Sequence, residues 1–366
     1  MAAPLLSPRA LNRARLRRQW LTERRPATAL EAMEHVVGMQ AQQGDAPYYQ
    51  LWSRLRDFVT DDLSRLLTGR LAVRVVLMRG TIHLVSAADC RRLRPVIQPF
   101  LDKILFSGSQ QGRRLTGVDT AKLVAVGEEL LASEPLHVND LAARLGERIA
   151  GFGGDDLAYG LKCAMPLLQV PPRGVWGRGG GLVYASPRQW LGTPEAPSHL
   201  DETVRRYLAA FGPAGVADFQ AWSSLTRTAE AFDRLDLRRY RDADGRELFD
   251  LPDAPPPDAD APVRPTLLGP FDNILLSHAD RGFIVPERHR GGVFTKNGLI
   301  PGTVLIDGMV AGAWKTKLAK KKATIHLELF EPAGPSEREA VAAEAEALLE
   351  FAAPAATERH VELAEA

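Results

Sequence analysis

Cysteine is nearly missing from this chain: its 366 residues hold two, Cys90 and Cys163, with no C-x-x-C spacing. That excludes a disulfide framework and a thiolate metal site. Apolar runs of about 18 residues are also missing, and the Arg-rich stretch from Met1 to Arg18 has no apolar segment behind it. Neither a membrane span nor a secretory signal is therefore expected, and the cytoplasm is the expected compartment. H-E-x-x-H, G-x-S-x-G, zinc-ligand spacing and an EF-hand loop are all lacking, so no metal and no other cofactor is expected. Gly177–Gly181 is glycine-rich but no Lys-Ser/Thr opens a helix after it, so it reads as a turn between strands rather than a phosphate loop.

What is present suits a soluble protein of two to four compact units, with 45% hydrophobic and 25% charged residues. The net charge of +1 hides an uneven distribution. Nine Glu against Arg338 and Arg359 give the segment from Glu331 to Ala366 a net charge of −7, leaving +8 on the rest. Basic residues crowd the start (Arg9, Arg13, Arg15, Arg17, Arg18, Arg24, Arg25) and a late segment (Lys315, Lys317, Lys320, Lys321, Lys322). Such clusters are either solvated faces or the means of neutralising phosphates, the sequence-independent part of nucleic-acid affinity.

Three times the chain repeats a run of helices closed by a pair of strands. The first copy predicts helices near Pro8–Arg24, Ala29–Gln42 and Tyr48–Gly69, then strands Arg74–Leu77 and Thr81–Val85. The second predicts helices near Ala88–Leu105, Thr120–Ala132, Val138–Leu145 and Leu157–Leu167 and a hairpin turning at Gly177–Gly181. The third predicts Leu200–Phe211, Gly215–Ser223 and Thr226–Leu235, with strands flanking Asp244-Gly245. Helices followed by a two-stranded wing make the winged-helix variant of helix-turn-helix. Six prolines and four Asp make Phe249–Pro265 a linker. Beyond it, short apolar runs and an Asp307-Gly308 turn predict a small antiparallel sheet or barrel, and Ser336–Ala352 a final helix. The expected class is α+β, divided as 1–86, 87–195, 196–252, a linker at 253–265, and 266–366.

Gln40-Ala41-Gln42 closes an apolar helical stretch. Near a helix end two carboxamides spaced i, i+2 project differently, so one needs polar company. The pair is either a polar helix end before Gln43-Gly44 or the centre of a site. Several separated segments bear on that choice: Gly38–Gln42, Met78–His83, Tyr207–Pro213 with Asp218–Trp222, Gly269–Asn273 and Pro301–Val304. Together, in this order and over nearly the whole chain, they resemble the AlkZ/YcaQ family of bacterial DNA glycosylases. Gln40-Ala41-Gln42 matches the Gln-aliphatic-Gln motif of the AlkZ branch; YcaQ-type relatives have Gln-aliphatic-Asp. The resemblance implies three tandem winged-helix units and a β-barrel forming a C-shaped channel around the glutamines, acting in unhooking interstrand crosslinks and in azinomycin self-resistance.

The residue types fit that chemistry. Alkylation at N7 makes a purine cationic and a good leaving group, so what remains is to stabilise an oxocarbenium-like sugar and place a water opposite the departing base. A carboxamide supplies a partly negative oxygen but takes no proton. Gln42 is assigned to the water and Gln40 to the sugar or lesion. Arg79, His83, Lys315, Lys317, Lys320, Lys321 and Lys322 are the candidate DNA contacts, with His83 alternatively a structural histidine and the lysines a solvated turn. Asp45, Asp272 and Asn273 read as turn chemistry. The expected partner is double-stranded DNA with alkylated purines or crosslinks, bound by a monomer without a membrane. Rival readings are a winged-helix transcription regulator, which would prefer one operator sequence, and a protein that binds lesions without cutting. The base is either flipped into a pocket or released while still in the duplex.

Overall fold

The computed structural model describes residues 3–192 and 198–365, so the boundary expected between 195 and 196 lies outside the described residues. Ser7 starts the first helix by accepting from the Ala10 amide with Pro8 at its first position, giving α1 (Pro8–Arg18); a reciprocal Thr28/Glu31 cap starts α2 (Ala29–His35). The chain continues through β1 (Met39–Gln40), α3 (Ala46–Trp52), α4 (Thr60–Thr68), β2 (Ala72–Val76) and β3 (Ile82–Ser86). Then follow α5 (Ala87–Ser107), α6 (Gln110–Arg114), α7 (Thr120–Leu130), β4 (Leu136–His137), α8 (Val138–Arg148), α9 (Gly154–Ala164), β5 (Leu168–Gln169), β6 (Val183–Ala185) and α10 (Pro187–Leu191). The third run has α11 (Leu200–Phe211), α12 (Val216–Ser223), α13 (Ala229–Asp233), β7 (Arg238–Arg241) and β8 (Glu247–Asp250). The last holds β9 (Thr266–Leu268), α14 (Arg290–Val293), β10 (Gly302–Ile306), β11 (Met309–Leu318), β12 (Lys322–Leu329), α15 (Pro335–Ala352) and β13 (Glu358–Glu365). Among the described residues no helix is long and apolar enough to cross a membrane.

The protein is a mixed α+β fold with open sheets. The strand pairs of the first and second runs merge into one six-stranded sheet, order β1-β3-β2-β5-β6-β4, joined where Arg74 meets Gln169. β7 and β8 pair alone. The C-terminal strands form a five-stranded sheet, β13-β12-β11-β10-β9. Two expectations are corrected here. The sheet does not close into a barrel, and it is not wholly antiparallel: β12 and β13 run parallel over eight residue pairs, because α15 carries the chain back before β13 begins. Asn273–Leu275 is a 3₁₀ turn.

The sharpest departure concerns the glutamines. The helix expected to run to Gln42 stops at His35, because Val37 and Gly38 stand at positive φ (55° and 87°). A Cβ at Gly38 would also lie 2.6 Å from Val85 Cγ1, so this reversal needs glycine. The chain leaves it extended, as β1, and pairs with β3 in the register Met39↔Leu84 and Gln40↔His83. Ala41 extends the pairing by donating to the Ile82 carbonyl at 2.7 Å.

Candidate active site

A strand alternates where a helix rotates, and that changes the meaning of Gln-x-Gln. Met39 and Ala41 enter one core with Leu51, Trp52 and Leu84, so the period of two leaves Gln40 and Gln42 on the opposite side. Gln40 is 5% exposed and Gln42 is open to solvent.

Three side chains hold the carbonyls of this segment. Asn273 Nδ2 donates to the Gly38 carbonyl at 2.5 Å and to that of Val36 at 3.3 Å. Gln50 Nε2 donates to the Gln40 carbonyl at 3.1 Å and to Pro270 at 3.0 Å, and Arg74 Nη2 to the Ala41 carbonyl at 2.9 Å. Behind them, Arg54 is 1% exposed and grips Asp272 through both nitrogens at 2.7 and 2.8 Å. The same guanidinium takes up Gln19 and the Gln50 carbonyl. Gly269 permits this contact, since a Cβ there would sit 2.9 Å from the Gln50 nitrogen on α3. Asp272 and Asn273 are therefore more than a local turn: they fix the glutamine segment from across the chain. Sequence reasoning missed Gln50, Arg54 and Arg74, and only their nearness to quoted motifs pointed to them.

Arg79 sits at φ 57° in the turn between β2 and β3. Its Nη2 donates to Gln40 Oε1 at 2.9 Å and approaches His83 Nε2 at 3.2 Å, while Nη1 donates to the Trp222 carbonyl at 3.0 Å. His83 is 1% exposed. Its Nδ1 stands 3.0 Å from the Thr81 carbonyl, so Nδ1 carries the hydrogen and Nε2 accepts from Arg79. Burial first, and Arg79 second, hold its pKa down to about 3. Both ring nitrogens are occupied inside the protein, which leaves His83 behind Arg79 rather than at the surface. The segments that carried the family resemblance thus meet physically. Gln40, Arg79 with His83, Trp222 and Asn273 form one connected set, and Gly302 fits against the Trp314 ring, whose Nε1 donates to Leu268 at 2.9 Å.

The electrostatics divide the basic residues into two kinds. Arg9 and Arg13 pair with Asp307, Arg15 with Asp218, Arg18 with Asp250, and Arg24 with Glu344. Most of the N-terminal cluster is therefore tied to carboxylates of this chain, with Arg9 and Arg13 sharing one. Arg74 and Arg79 differ. Burial lowers each to about 10, helped by Arg173 in the first case and Arg281 in the second. Among the described residues none of these four guanidiniums has a carboxylate within ion-pairing distance. Charge left unneutralised in the segment that carries the solvent-open Gln42 amide attracts an anion. Lys315, Lys317, Lys320, Lys321 and Lys322 are all exposed on the β11–β12 hairpin, without ion pairs among the described residues. They do not share one cleft. Lys320 lines a cavity of about 650 Å³ with Asp45, Tyr49, Trp176 and Gly177, while Lys315 lines another of about 490 Å³ with His326 and Glu362. Among the described residues no cluster of three or more His, Cys, Asp or Glu is placed to hold a metal ion.

Comparison with known proteins agrees with the resemblance. A family model described as DNA glycosylase AlkZ-like matches residues 33–351. An interstrand DNA cross-link repair glycosylase of Streptomyces sahachiroi is 27% identical over 335 residues, covering 82% of this chain and 85% of the relative. The solved structure of Streptomyces sahachiroi DNA glycosylase AlkZ superposes with a TM-score of 0.78 at 21% identity, covering 98% of this chain and 99% of that one.

Proposed function

The chain belongs to the DNA glycosylase AlkZ-like family, and from that premise we propose that it hydrolyses the N-glycosidic bond of N7-alkylated purines in duplex DNA, with Gln40 and Gln42 at the reaction centre. Where the alkyl group ties two strands together, the same cut unhooks the crosslink, the task named for the Streptomyces sahachiroi relative. In this reading the three runs of helices and strand pairs act as winged-helix units around a C-shaped channel. The exposed lysines of the β11–β12 hairpin meet the phosphates.

The observation that carries the reading is the solvent-open Gln42 amide, next in the chain to Gln40 and Ala41, which Arg79 and Arg74 hold without carboxylate partners among the described residues. Its oxygen orients a water toward C1′ and presents a partial negative charge to the cationic sugar. The alkylated base needs no acid to depart, because its own positive charge accepts the bonding electrons. DNA phosphates neutralise the arginines on binding, so their charge draws the substrate without opposing the sugar cation.

The test is incubation with a duplex carrying one N7-methylguanine, followed by alkali cleavage at abasic sites. Wild type yields product, and Gln42→Ala lowers the rate by about 10²–10³, the usual cost of one preorganised electrostatic group. Product undiminished in both Gln40→Ala and Gln42→Ala removes the glutamines from the mechanism. Strong preference for one undamaged sequence favours a regulator instead.

A further inference from the structure

The two glutamines differ in what stands behind them. Gln40 Oε1 lies 2.9 Å from Arg79 Nη2. A guanidinium has five N–H donors and no acceptor, so the amide atom that faces it must be the oxygen, and the NH₂ must face away. Arg79 cannot swing aside. The Trp222 carbonyl holds its Nη1, and His83 Nε2, made an acceptor by the bond from Nδ1 to Thr81, holds its Nη2. Burial keeps that ring neutral across the range in which DNA stays duplex. Among the described residues no acceptor engages Gln40 Nε2, and that atom is not sealed from solvent. Gln42 is the reverse case: its oxygen has only a long contact, 3.5 Å, from the Ile82 amide.

Resting on the reading that these glutamines form the reaction centre, we propose that Arg79 is a positioning residue that locks Gln40 as a hydrogen-bond donor to the departing purine. Gln42 is then left to supply the oxygen that holds water. As the C1′–N9 bond breaks, its electron pair passes to the purine and neutralises the alkylated ring. Electron density rises on the acceptor atoms of the base, so an N–H aimed at one of them binds the transition state more strongly than the ground state. Water then bonds to C1′ and releases a proton to solvent. The products are an abasic site, a neutral alkylpurine and that proton. An amide oxygen in Gln40's outward position would instead repel the acceptor.

Single-turnover cleavage of the N7-methylguanine duplex tests this. Gln40→Glu keeps the oxygen facing Arg79 and removes both N–H donors, so at saturating enzyme it should cleave about 10²-fold more slowly, with its melting temperature near wild type. Cleavage as fast as wild type overturns the proposal, because carboxylate is the better acceptor. Arg79→Met frees the amide to flip and should slow cleavage about tenfold, with partial recovery in Arg79→Lys. In a Gln40→Ala background, Arg79→Met should cost nothing further. Fully additive losses overturn the proposal, since they mean Arg79 acts independently of Gln40. Absence of abasic product from wild type would instead defeat the glycosylase reading itself.

Discussion

Acid should weaken this protein through His83. The ring is 1% exposed, and its pKa is held down to about 3 by burial and by Arg79, against about 6.5 in an unfolded chain. Because the folded value is the lower one, the unfolded chain takes up the proton first. The stability permitted by the neutral ring is intact above about pH 6.5 and is lost as pH falls toward 3. One such group costs about 1.4 kcal/mol at pH 5.5 and about 2 kcal/mol at pH 5. His278, also buried, is shifted in the same direction. Replacing His83 with Gln keeps an acceptor for Arg79 and removes the titration, while every other histidine is common to both proteins and cancels. Urea unfolding of wild type and His83→Gln at pH 7.5 and 5.5 measures the difference. The wild type should lose about 1.4 kcal/mol more than the variant between the two pH values. Equal losses would refute the assignment of a neutral, buried acceptor behind Arg79.

Two further outcomes concern the clamp behind the amides and the lysine hairpin. Arg54→Met strands the Asp272 carboxylate, which is 0% exposed, and should cost about 3–5 kcal/mol in chemical unfolding; Asp272→Ala should cost a similar amount, and a loss below about 1 kcal/mol in both would show that the pair is not the clamp described. Replacing Lys320, Lys321 and Lys322 with Gln should flatten the dependence of log K on log salt by roughly 0.9 for each phosphate no longer neutralised, equally for any duplex sequence. An unchanged slope in a titration by fluorescence anisotropy would take these lysines off the DNA.

Much of the fold was legible because its elements are local. Leu200–Phe211 is a helix with the bounds its periodicity predicts, and the Asp244-Gly245 and Asp307-Gly308 turns join strand pairs as expected. The errors arose where partners lie far away in the chain. The N-terminal arginines look like a nucleic-acid surface until Asp218, Asp250, Asp307 and Glu344 are seen beside them. Glu358–Glu365 carries too many charges to read as a strand, yet pairs along its length with β12. For the site, the residue types of the glutamine pair were legible and their geometry was not. An apolar run containing Val36, Val37 and Met39 suits helix or strand equally, and the reversal at Val37-Gly38 decides it. Asn273 reads as a turn residue in the sequence because its bond to Gly38 spans 235 positions.

That span governs when the proposed reaction centre comes into being. The loop bearing the glutamines is closed by Asn273 and by the Arg54–Asp272 pair, so a chain that ends within the third run of helices has Gln50 and Arg74 in place but lacks Asn273 and Asp272. Closing so long a loop is also among the slower events in a folding chain. Competence to attack DNA is thereby deferred until the C-terminal portion has docked, and no fragment ending before residue 272 can assemble the centre described.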